Sequence, residues 1–357
     1  MSWRAFPLGR CCRRKSSRQK GGYFSVRVSS DRDAKYLFFY EEAFMRKSIL
    51  VVLICMCIVA FTGAQAKPLI GFAHVSMNNP YYLAMEKAAK ETAAARGADI
   101  VILNAEEDIS KQISDIESLL VKGVKGLIVN SVTEYGTMPV IKKAKAMGIP
   151  VVAIDRNLYG DYLAYVGIDQ WRAGELQGEY ITQTLLPKGG NIVLIIGDPG
   201  DSASIGRGNG MLSILEKPEN KGKYTILGTY KASYNQMLGM QKMEEAIAAF
   251  GNKIDLVYCA NDSMALGAQA ALANAKMTKV MICGIDGQKE AYAEIMKGGA
   301  YKSTVINNSW DITQQAVHIL MDYITKKTEP KERNVITGTI LVTKDNVKQY
   351  YKQDSVF

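Results

Sequence analysis

The chain has few of the residues that most catalytic and metal sites use. It contains only two histidines among its 357 residues, His74 and His318, and six cysteines. Four of those cysteines precede residue 67, so only Cys259 and Cys283 fall in the body of the chain. Two cysteines are too few for a disulfide framework or for a zinc site built from four cysteines.

The body of the chain also lacks an excess of charge of either sign. The whole sequence has 44 Lys and Arg against 35 Asp and Glu, a formal net charge of +9. Residues 1–66 hold 12 basic and 4 acidic residues, which leaves 32 basic and 31 acidic residues after them. A nearly neutral body gives no reason to expect a nucleic acid or an anionic membrane as partner.

The apolar run at residues 48–61 is shorter than the roughly 20 residues that a membrane-spanning helix needs. It follows the basic start at 45–47 and precedes Ala64-Gln65-Ala66, a small-x-small cleavage motif. This order predicts a secretory signal peptide over 45–66, cleaved after Ala66. We therefore expect a periplasmic protein, and a retained membrane anchor is the alternative.

Residues 1–44 precede this signal and carry most of the basic excess of the leader. Signal peptides ordinarily start at the initiating methionine. We therefore expect Met45 to be the true initiator and residues 1–44 to be a non-native upstream extension.

From residue 67 onward, apolar strands alternate with amphipathic helices. The strands are short continuous apolar runs, as expected for parallel sheets covered by helices on both faces. They are predicted at 69–73, 99–103, 126–129, 149–154, 191–196, 224–228, 256–259, 280–283 and 303–306. The helices of the first half are predicted at 80–96, 109–121 and 134–147. The pattern predicts an α/β fold of two doubly wound parallel-sheet domains.

Polar and aromatic residues follow these strands, at the edge where open α/β sheets bind ligands. The ten candidate binding residues are Asn79, Tyr81, Tyr82, Asp155, Arg156, Arg207, Tyr234, Asn261, Asp286 and Asn307. Amides, carboxylates and guanidinium groups each bond neighbouring hydroxyls, and aromatic rings cover weakly apolar faces. The set predicts a site for a neutral, hydroxyl-rich small molecule, and it contains no nucleophile with its base and no metal-ligand spacing.

Four runs of sequence carry a closer resemblance. They are SMNNPYY at 76–82, IPVVAIDR at 149–156, NDSMALGA at 261–268 and GIDG at 284–287. In this order and spacing, the chain resembles the ribose-binding type of periplasmic sugar-binding protein of ABC importers, in the type I periplasmic binding protein family. The resemblance implies a non-enzymatic receptor without cofactor or metal. Such a receptor captures a monosaccharide or related polyol and delivers it to an ABC permease.

The resemblance also implies roles for the candidates of the first domain. Asn79, Asp155 and Arg156 would hold ligand hydroxyls. Tyr81 and Tyr82 stand where the family has a phenylalanine pair that borders the sugar.

From the second domain, the resemblance implies that Asn261 and Asp286 complete the polar edge of the site. Tyr234 would face the aromatic pair, and Asn307 stands where the family has a glutamine near the hinge. We expect Asp262 to cap the helix that follows, which leaves Asn261 as the ligand contact.

Arg207 departs from the family pattern. Ribose-type proteins place a ligand arginine two residues earlier, where this chain has Ile205. Either Arg207 reaches the ligand instead, or a hydroxyl contact is missing and the ligand is not ribose.

The family joins its two domains by three crossing segments, which the resemblance places near Asp169, Asn308 and Gly338. The expected N-terminal lobe is 67–169 with 308–337, and the expected C-terminal lobe is 170–307 with 338–357. Such domains close over a ligand that contacts both of them. We expect a monomer.

Other functions stay open at this stage. A receptor of this kind also serves chemotaxis or two-component signalling, through a chemoreceptor or a sensor kinase. A sugar-acting enzyme would need a defined acid, base or nucleophile. A repressor of related fold would need a DNA-binding leader, where this chain has an export signal.

Structural roles are the alternative for several residues. Asn79 also suits a helix cap, and Asp155 with Arg156 also suits a local ion pair. We expect His74 to be a hydrogen-bonded structural residue. Cys259 and Cys283 end neighbouring predicted strands, and we expect free buried thiols, with a disulfide as the alternative.

Overall fold

The structure is a computed structural model that describes residues 66–357. The predicted upstream extension and signal peptide fall on residues 1–65 and lie outside the described residues. Residues 67–357 form one compact unit. None of the helices in the described part is long and apolar enough to cross a bilayer.

Strands and helices alternate through the first half of this unit. Its elements are β1 (Leu69–His74), α1 (Pro80–Ala95), β2 (Asp99–Asn104), α2 (Ile109–Val121), β3 (Leu127–Val129), α3 (Met138–Ala146), β4 (Val151–Ile154) and β5 (Ala164–Gly167). Side-chain caps start the helices: the carboxylate of Asp108, for example, accepts the backbone N–H of Lys111 at the start of α2. Such a cap satisfies a backbone donor that the helix itself leaves free.

The second half repeats the alternation. Its elements are α4 (Gln170–Tyr180), β6 (Gly190–Ile196), α5 (Ser202–Leu215), β7 (Tyr224–Lys231), α6 (Gln236–Phe250), β8 (Leu256–Cys259), α7 (Asp262–Asn274), β9 (Met281–Cys283), α8 (Lys289–Lys297) and β10 (Tyr301–Val305). The chain ends with α9 (Ser309–Lys326), β11 (Asn334–Ile336) and β12 (Leu341–Thr343). A π-helical turn, Ile181–Leu185, continues α4.

The strands form two six-stranded sheets. The first has the order β11-β5-β4-β3-β1-β2 and is parallel throughout. The second has the order β12-β10-β9-β8-β6-β7, and only β12 runs antiparallel to its neighbour. The order 2-1-3-4-5 therefore recurs as 7-6-8-9-10, which confirms two doubly wound parallel-sheet domains.

Each sheet, with the helices packed on it, is called a lobe here. The first lobe contains α1, α2, α3 and α9, and the second contains α4 to α8. The chain changes lobe between β5 and β6, between β10 and β11, and between β11 and β12. Each sheet has a hydrophobic core on both faces, as the continuous apolar strands require.

The structure differs from the predicted elements in four places. It adds the short strands β5, β11 and β12, which the apolar runs did not reveal. It also starts α3 at Met138, four residues later than predicted. The hydroxyl of Thr133 accepts the backbone N–H of Gly136, and this turn occupies the start of the predicted helix.

Candidate functional site

The topology brings the carboxyl ends of both sheets towards one place. In a doubly wound sheet, the crevice opens where the strand order reverses, between β1 and β3 or between β6 and β8. The segment 75–82 follows β1, and Asn261 is the second residue after β8. The candidate residues of both lobes therefore lie at facing switch points.

Nine of the ten predicted site residues line one cavity between the lobes. They are Asn79, Tyr81, Tyr82, Asp155, Arg156, Arg207, Tyr234, Asn261 and Asp286, and Ala203 joins them. The tenth, Asn307, contacts this cavity wall, because its amide nitrogen lies 3.4 Å from Asp155 Oδ1 and 3.2 Å from Asp286 Oδ1. The side chains leave a volume of about 10 Å³ among them, room for about one water molecule.

The first lobe contributes two hydroxyl–charge contacts to this site. The hydroxyl of Tyr81 donates to Oδ1 of Asp155 at 2.8 Å. The guanidinium of Arg156 donates to the hydroxyl of Tyr82 at 2.6 Å. Both tyrosines are buried, and both hydroxyls are thereby directed at charged groups that also line the cavity.

The second lobe contributes a buried arginine held on three sides. Arg207 donates from Nε to the side-chain oxygen of Gln170 at 2.7 Å. Its Nη1 donates to Asp286 Oδ1 at 2.9 Å and to the carbonyl of Ala260 at 2.8 Å. Ile205, in contrast, is 45% exposed. Arg207 is therefore the arginine that faces the cavity, and Ile205 lies outside it.

Burial governs the electrostatics of the site. Removal from water raises the pKa of Asp286 to about 7, although Arg207 beside it favours the ionised carboxylate. Burial alone would lower the pKa of Arg207, but the charge of Asp286 and its neighbours outweighs this and raises it. The site therefore holds a charged guanidinium next to a carboxyl group that titrates near neutral pH.

Three side chains of the site stand on left-handed backbone. The φ angle is 63° at Asp155, 58° at Tyr234 and 131° at Asp286. Such conformations are unfavourable for residues other than glycine and recur at binding sites, where the surrounding structure imposes them. Left-handed backbone at three residues that line the cavity indicates that the conformation of the turns directs these side chains into the cavity.

Direct contacts also join the two lobes across the site. The amide of Asn79 donates to the carbonyl of Tyr234 at 3.4 Å, and the amide of Gln170 donates to the carbonyl of Asp155 at 3.0 Å. Beside the cavity, the N–H of Asn157 donates to the Ser202 hydroxyl at 2.8 Å. These contacts describe a closed arrangement of the lobes.

Three neighbours of the cavity were missed by the sequence analysis. Asn130 places its amide nitrogen 3.5 Å from Asp155 Oδ2. Asp201 accepts from the Tyr234 hydroxyl, and Gln170 bridges Arg207 and Asp155. Asn130 follows β3 directly, at the switch point, so the topology rule itself pointed to it. Gln170, the third residue after β5 and the first of α4, had no comparable signal.

The expectation for Asn261 and Asp262 was wrong in one respect. Asn261 is the helix cap, because its side chain accepts the backbone N–H of Met264 at 2.9 Å, and it lines the cavity as well. Asp262 is instead the buried first residue of α7, and it accepts hydrogen bonds from the hydroxyls of Tyr301 and Thr304. An asparagine in extended backbone immediately before the helix is the better cap geometry.

Asn79 likewise caps a helix and lines the cavity. Its side-chain oxygen accepts the backbone N–H of Tyr82 and so caps α1, while Pro80 occupies the first helical position. The amide nitrogen stays free to point across the cleft towards Tyr234. The cap uses the side-chain oxygen of Asn79 and leaves its amide N–H groups available to donate.

His74 lies outside the cavity, in the core behind the site. Its Nε2 is 3.1 Å from the carbonyl oxygen of Tyr82, and its ring stacks on Phe72 at 4.6 Å. Burial lowers the pKa of His74 to about 4, so the ring is neutral at neutral pH. This matches the structural role expected for it.

Cys259 and Cys283 are both buried free thiols. Cys283 pairs in register with Tyr258, one residue before Cys259, so the two side chains point to opposite faces of the sheet. They belong to different hydrophobic clusters accordingly. The disulfide alternative is thereby excluded.

These features define the class of protein. Two similar lobes, connected by three chain segments, close on a small polar cavity lined from both sides by groups that match hydroxyls. Among the described residues, no three histidine, cysteine or acidic side chains group as metal ligands would. The geometry is that of a two-lobed binding protein for a small polar ligand.

Comparison with known proteins leads to the same class of protein. The family model described as a periplasmic binding protein domain matches residues 70–328, and the chain therefore belongs to this family. The chain is 32% identical over 235 residues to the ribose import binding protein of Bacillus subtilis, covering 66% of this chain and 74% of the relative. The resemblance inferred from the four sequence runs is confirmed.

Two further matches extend over more of the chain. The D-apiose import binding protein of Actinobacillus succinogenes is 29% identical over 310 residues, covering 86% of this chain and 98% of the relative. A solute-binding protein of an ABC transporter from Mycobacterium smegmatis, solved with bound glycerol, is 32% identical with a TM-score of 0.76. That match covers 82% of this chain and 99% of the other.

Proposed function

We propose that this protein is an exported receptor that captures a monosaccharide or related polyol between its two lobes. It presents the closed, loaded form to an ABC permease in the periplasm. The proposal covers the ten predicted site residues as ligand contacts, the lobe boundaries, cleavage after Ala66, a monomeric state and the absence of catalysis.

One observation carries the proposal: residues far apart in sequence line a single cavity with the chemistry that a sugar needs. Carboxylates and an arginine at the cavity can each engage two neighbouring hydroxyls, and tyrosine rings stand beside them. The buried side-chain oxygens of Asn130 and Asn307 accept no hydrogen bond from residues 66–357. They are acceptors that a ligand hydroxyl would satisfy.

The size of the cavity defines how a ligand would be accommodated. About 10 Å³ does not hold a sugar, so the ligand would replace direct contacts such as the bond from Tyr81 to Asp155. A hydroxyl can take over each of these contacts, because it is both a donor and an acceptor. Ligands without hydroxyls would leave buried polar groups unpaired, which disfavours their binding.

The contacts between lobes supply the coupling of binding to closure. Asp155 and Arg156 belong to the first lobe, and Arg207 and Asp286 to the second. A ligand that contacts both sets makes all its bonds only when the lobes are together, so it stabilises the closed state. A permease that contacts both lobes would then distinguish the loaded receptor from the open one.

The names of the relatives support the same function. The proteins of Bacillus subtilis and Actinobacillus succinogenes are named as import binding proteins for ribose and D-apiose. The pocket of this chain has its own pattern, with Arg207 in place of an arginine at position 205. The proposal therefore extends to the class of ligand and not to one sugar.

Thermal unfolding tests the proposal directly. The protein is freed of ligand by unfolding and refolding, then heated with single pentoses, hexoses and polyols. A ligand at ~100 times its dissociation constant adds about 2.7 kcal/mol to the free energy of unfolding. We expect a selective rise in melting temperature that Asp155→Ala abolishes.

The surface residue Asp161 provides the matched control. Its side chain is 56% exposed and pairs with Lys145 on the first lobe, and Asp161→Ala should retain the sugar-dependent rise. A folded protein that shows no rise with any sugar or polyol contradicts the proposal. Turnover of the bound sugar would contradict the receptor function and favour an enzyme.

A further inference from the structure

Residues 350–357 form a segment that touches both lobes, and we call it the strap. It follows the short helical turn Val347–Gln349. Tyr350 and Tyr351 pack against the main core of the second lobe. Lys289 of α8 donates to the backbone carbonyl of Ser355 at 2.9 Å. The first part of the strap is therefore anchored on the second lobe.

The last residue of the strap reaches the other lobe. Phe357 packs against the hydrophobic core of the first lobe. Its ring stands edge-on to the ring of Tyr81, with centroids 5.3 Å apart and an interplanar angle of 80°. This is a favourable aromatic geometry. The ring of Tyr81 also contacts that of Tyr82, with centroids 5.7 Å apart.

Between its two anchors, the strap lies over a cavity and not on a packed surface. A volume of about 580 Å³ is lined by strap residues 350, 352 and 354–357 together with Asn308, Thr337 and Gly338 near the connections between the lobes. The strap therefore contacts the two lobes mainly at its two ends. One end is fixed to the second lobe and the other contacts the first.

We propose that the strap holds the cleft closed and that Phe357 is a positioning residue for Tyr81. Phe357 contacts the first lobe only when the lobes are together, because the anchor of the strap travels with the second lobe. Its ring also packs against the ring of Tyr81, whose hydroxyl is directed at Asp155 in the cavity. The effect on sugar binding rests on the proposed function, whereas the effect on closure does not.

Loss of the contact between Phe357 and Tyr81 should accelerate the opening of the lobes and the release of ligand more than it slows the binding of ligand. An edge-to-face aromatic pair accounts for about two- to tenfold in an equilibrium constant. Because the contact exists in the closed state, its removal favours opening and accelerates ligand release. We expect Phe357→Ala to weaken sugar binding about tenfold, mainly through a faster dissociation rate constant.

Spin labels can report the closure without any sugar. Met138 on the first lobe and Met237 on the second are 43% and 70% exposed, and Met138→Cys with Met237→Cys gives one label on each lobe. The distances between the labels are measured by electron spin resonance in the ligand-free full chain, in which the four cysteines before residue 67 are replaced by serine so that they carry no label. Phe357→Ala should shift the population towards longer distances. Val356→Ala, at a 46% exposed position of the same strap, should not.

A double-mutant comparison separates positioning from general stability. If Phe357 acts through the ring of Tyr81, Phe357→Ala should change sugar affinity far less in a Tyr81→Ala background than in the parent. In Tyr81→Phe, which keeps the ring, the effect of Phe357→Ala should persist. A full effect in the Tyr81→Ala background would overturn the positioning role.

Label distances equal to those of Val356→Ala would overturn the strap itself. So would a lower melting temperature of Phe357→Ala without any change in distances or sugar dissociation rate, because the contact would then serve only to stabilise the fold. If no sugar binds the parent protein, the proposed function fails. The label distances in the ligand-free protein still test whether the strap holds the cleft closed.

Discussion

Arg156 of the first lobe and Asp201 of the second form an ion pair across the closed cleft, with Nε 3.5 Å from Oδ1. The side chains are 3% and 0% exposed. The guanidinium also stands 5.2 Å from the ring centroid of Tyr234, on the side of the second lobe. Closure thus buries the charges of Arg156 and Asp201 together. Burial of either charge without its partner would cost free energy.

The first prediction concerns Asp201→Asn, which removes the charge and keeps an oxygen for the cap on Ala203. In the open form water solvates Arg156, so the loss of its partner destabilises mainly the closed form. Removing one partner of a buried ion pair costs about 3 kcal/mol or more, which is about a hundredfold in sugar affinity. Isothermal titration calorimetry measures this change.

The control for this prediction is Asp161→Asn. It removes the same charge from an exposed pair with Lys145, and exposed pairs contribute about 0–1 kcal/mol. Its sugar affinity should stay within a few-fold of the parent. An equal loss of sugar affinity in both variants would contradict the prediction that the ion pair between Arg156 and Asp201 stabilises the closed form.

The fold was largely predictable because its strands are buried on both faces. Continuous apolar runs such as those of β4 and β8 stand out from the amphipathic helices around them. β5 was missed although it lies inside the first sheet with all four residues buried, whereas the other missed strands, β11 and β12, lie at sheet edges. Such strands bury little apolar surface and so leave a weak sequence signal.

The site was predictable to the extent that it stands at strand ends. Asp155 is the first residue after β4 and Asn261 the second after β8, so the topology and the family resemblance both pointed to them. Asp201 and Gln170 depend on how helices of the second lobe face the first lobe, which no local pattern encodes. The same reason hid the direct bond between Tyr81 and Asp155, because it depends on side-chain packing in the closed form.

The second prediction concerns pH. Burial raises the pKa of Asp286 to about 7 from an ordinary value of 3.8. The folded protein therefore binds more protons than the unfolded chain between these values, and the contribution of Asp286 to stability falls as pH rises towards 7. Asp286→Asn mimics the protonated form. Its melting temperature relative to the parent should be higher at pH 7.5 than at pH 5.

Two other buried groups titrate in this range and must be separated from Asp286. Burial raises the pKa of Asp262 to about 6 and lowers that of His74 to about 4. Both groups are present in the parent and in Asp286→Asn, so the contribution of His74 cancels in the difference between the two proteins. The charge of Asp262 is itself one cause of the raised pKa of Asp286, so its effect on Asp286 is part of what the difference measures. A difference in melting temperature that does not vary with pH would contradict the raised pKa of Asp286.

The third prediction concerns the close packing of α4 on α5. A Cβ atom at Gly174 would stand 2.2 Å from the backbone carbonyl oxygen of Arg207. Gly174→Ala must therefore separate the helices and displace Arg207, at a cost of about 1–3 kcal/mol for overpacking. Chemical denaturation should show this loss of stability, and calorimetry should show weaker sugar binding.

Gly208, on the facing helix α5, provides the matched control. A Cβ atom there meets no other atom within 4 Å, and alanine is favoured over glycine in a helix by about 0.8–1.0 kcal/mol. Gly208→Ala should leave stability equal or higher and sugar affinity unchanged. A loss of stability in Gly208→Ala as large as in Gly174→Ala would indicate a general intolerance of α5 to substitution.

The fourth prediction concerns the thiols of Cys259 and Cys283. Their side chains lie on opposite faces of the second sheet, and burial raises the pKa of the Cys283 thiol to about 12. Neither a disulfide nor a reactive thiolate is therefore expected, even in an oxidising compartment. The melting temperature of the protein should be the same with and without reductant, and a thiol reagent should label both residues only after unfolding. Rapid labelling of the folded protein, or a reductant-sensitive melting temperature, would contradict the register of β8 and β9 on which this prediction depends.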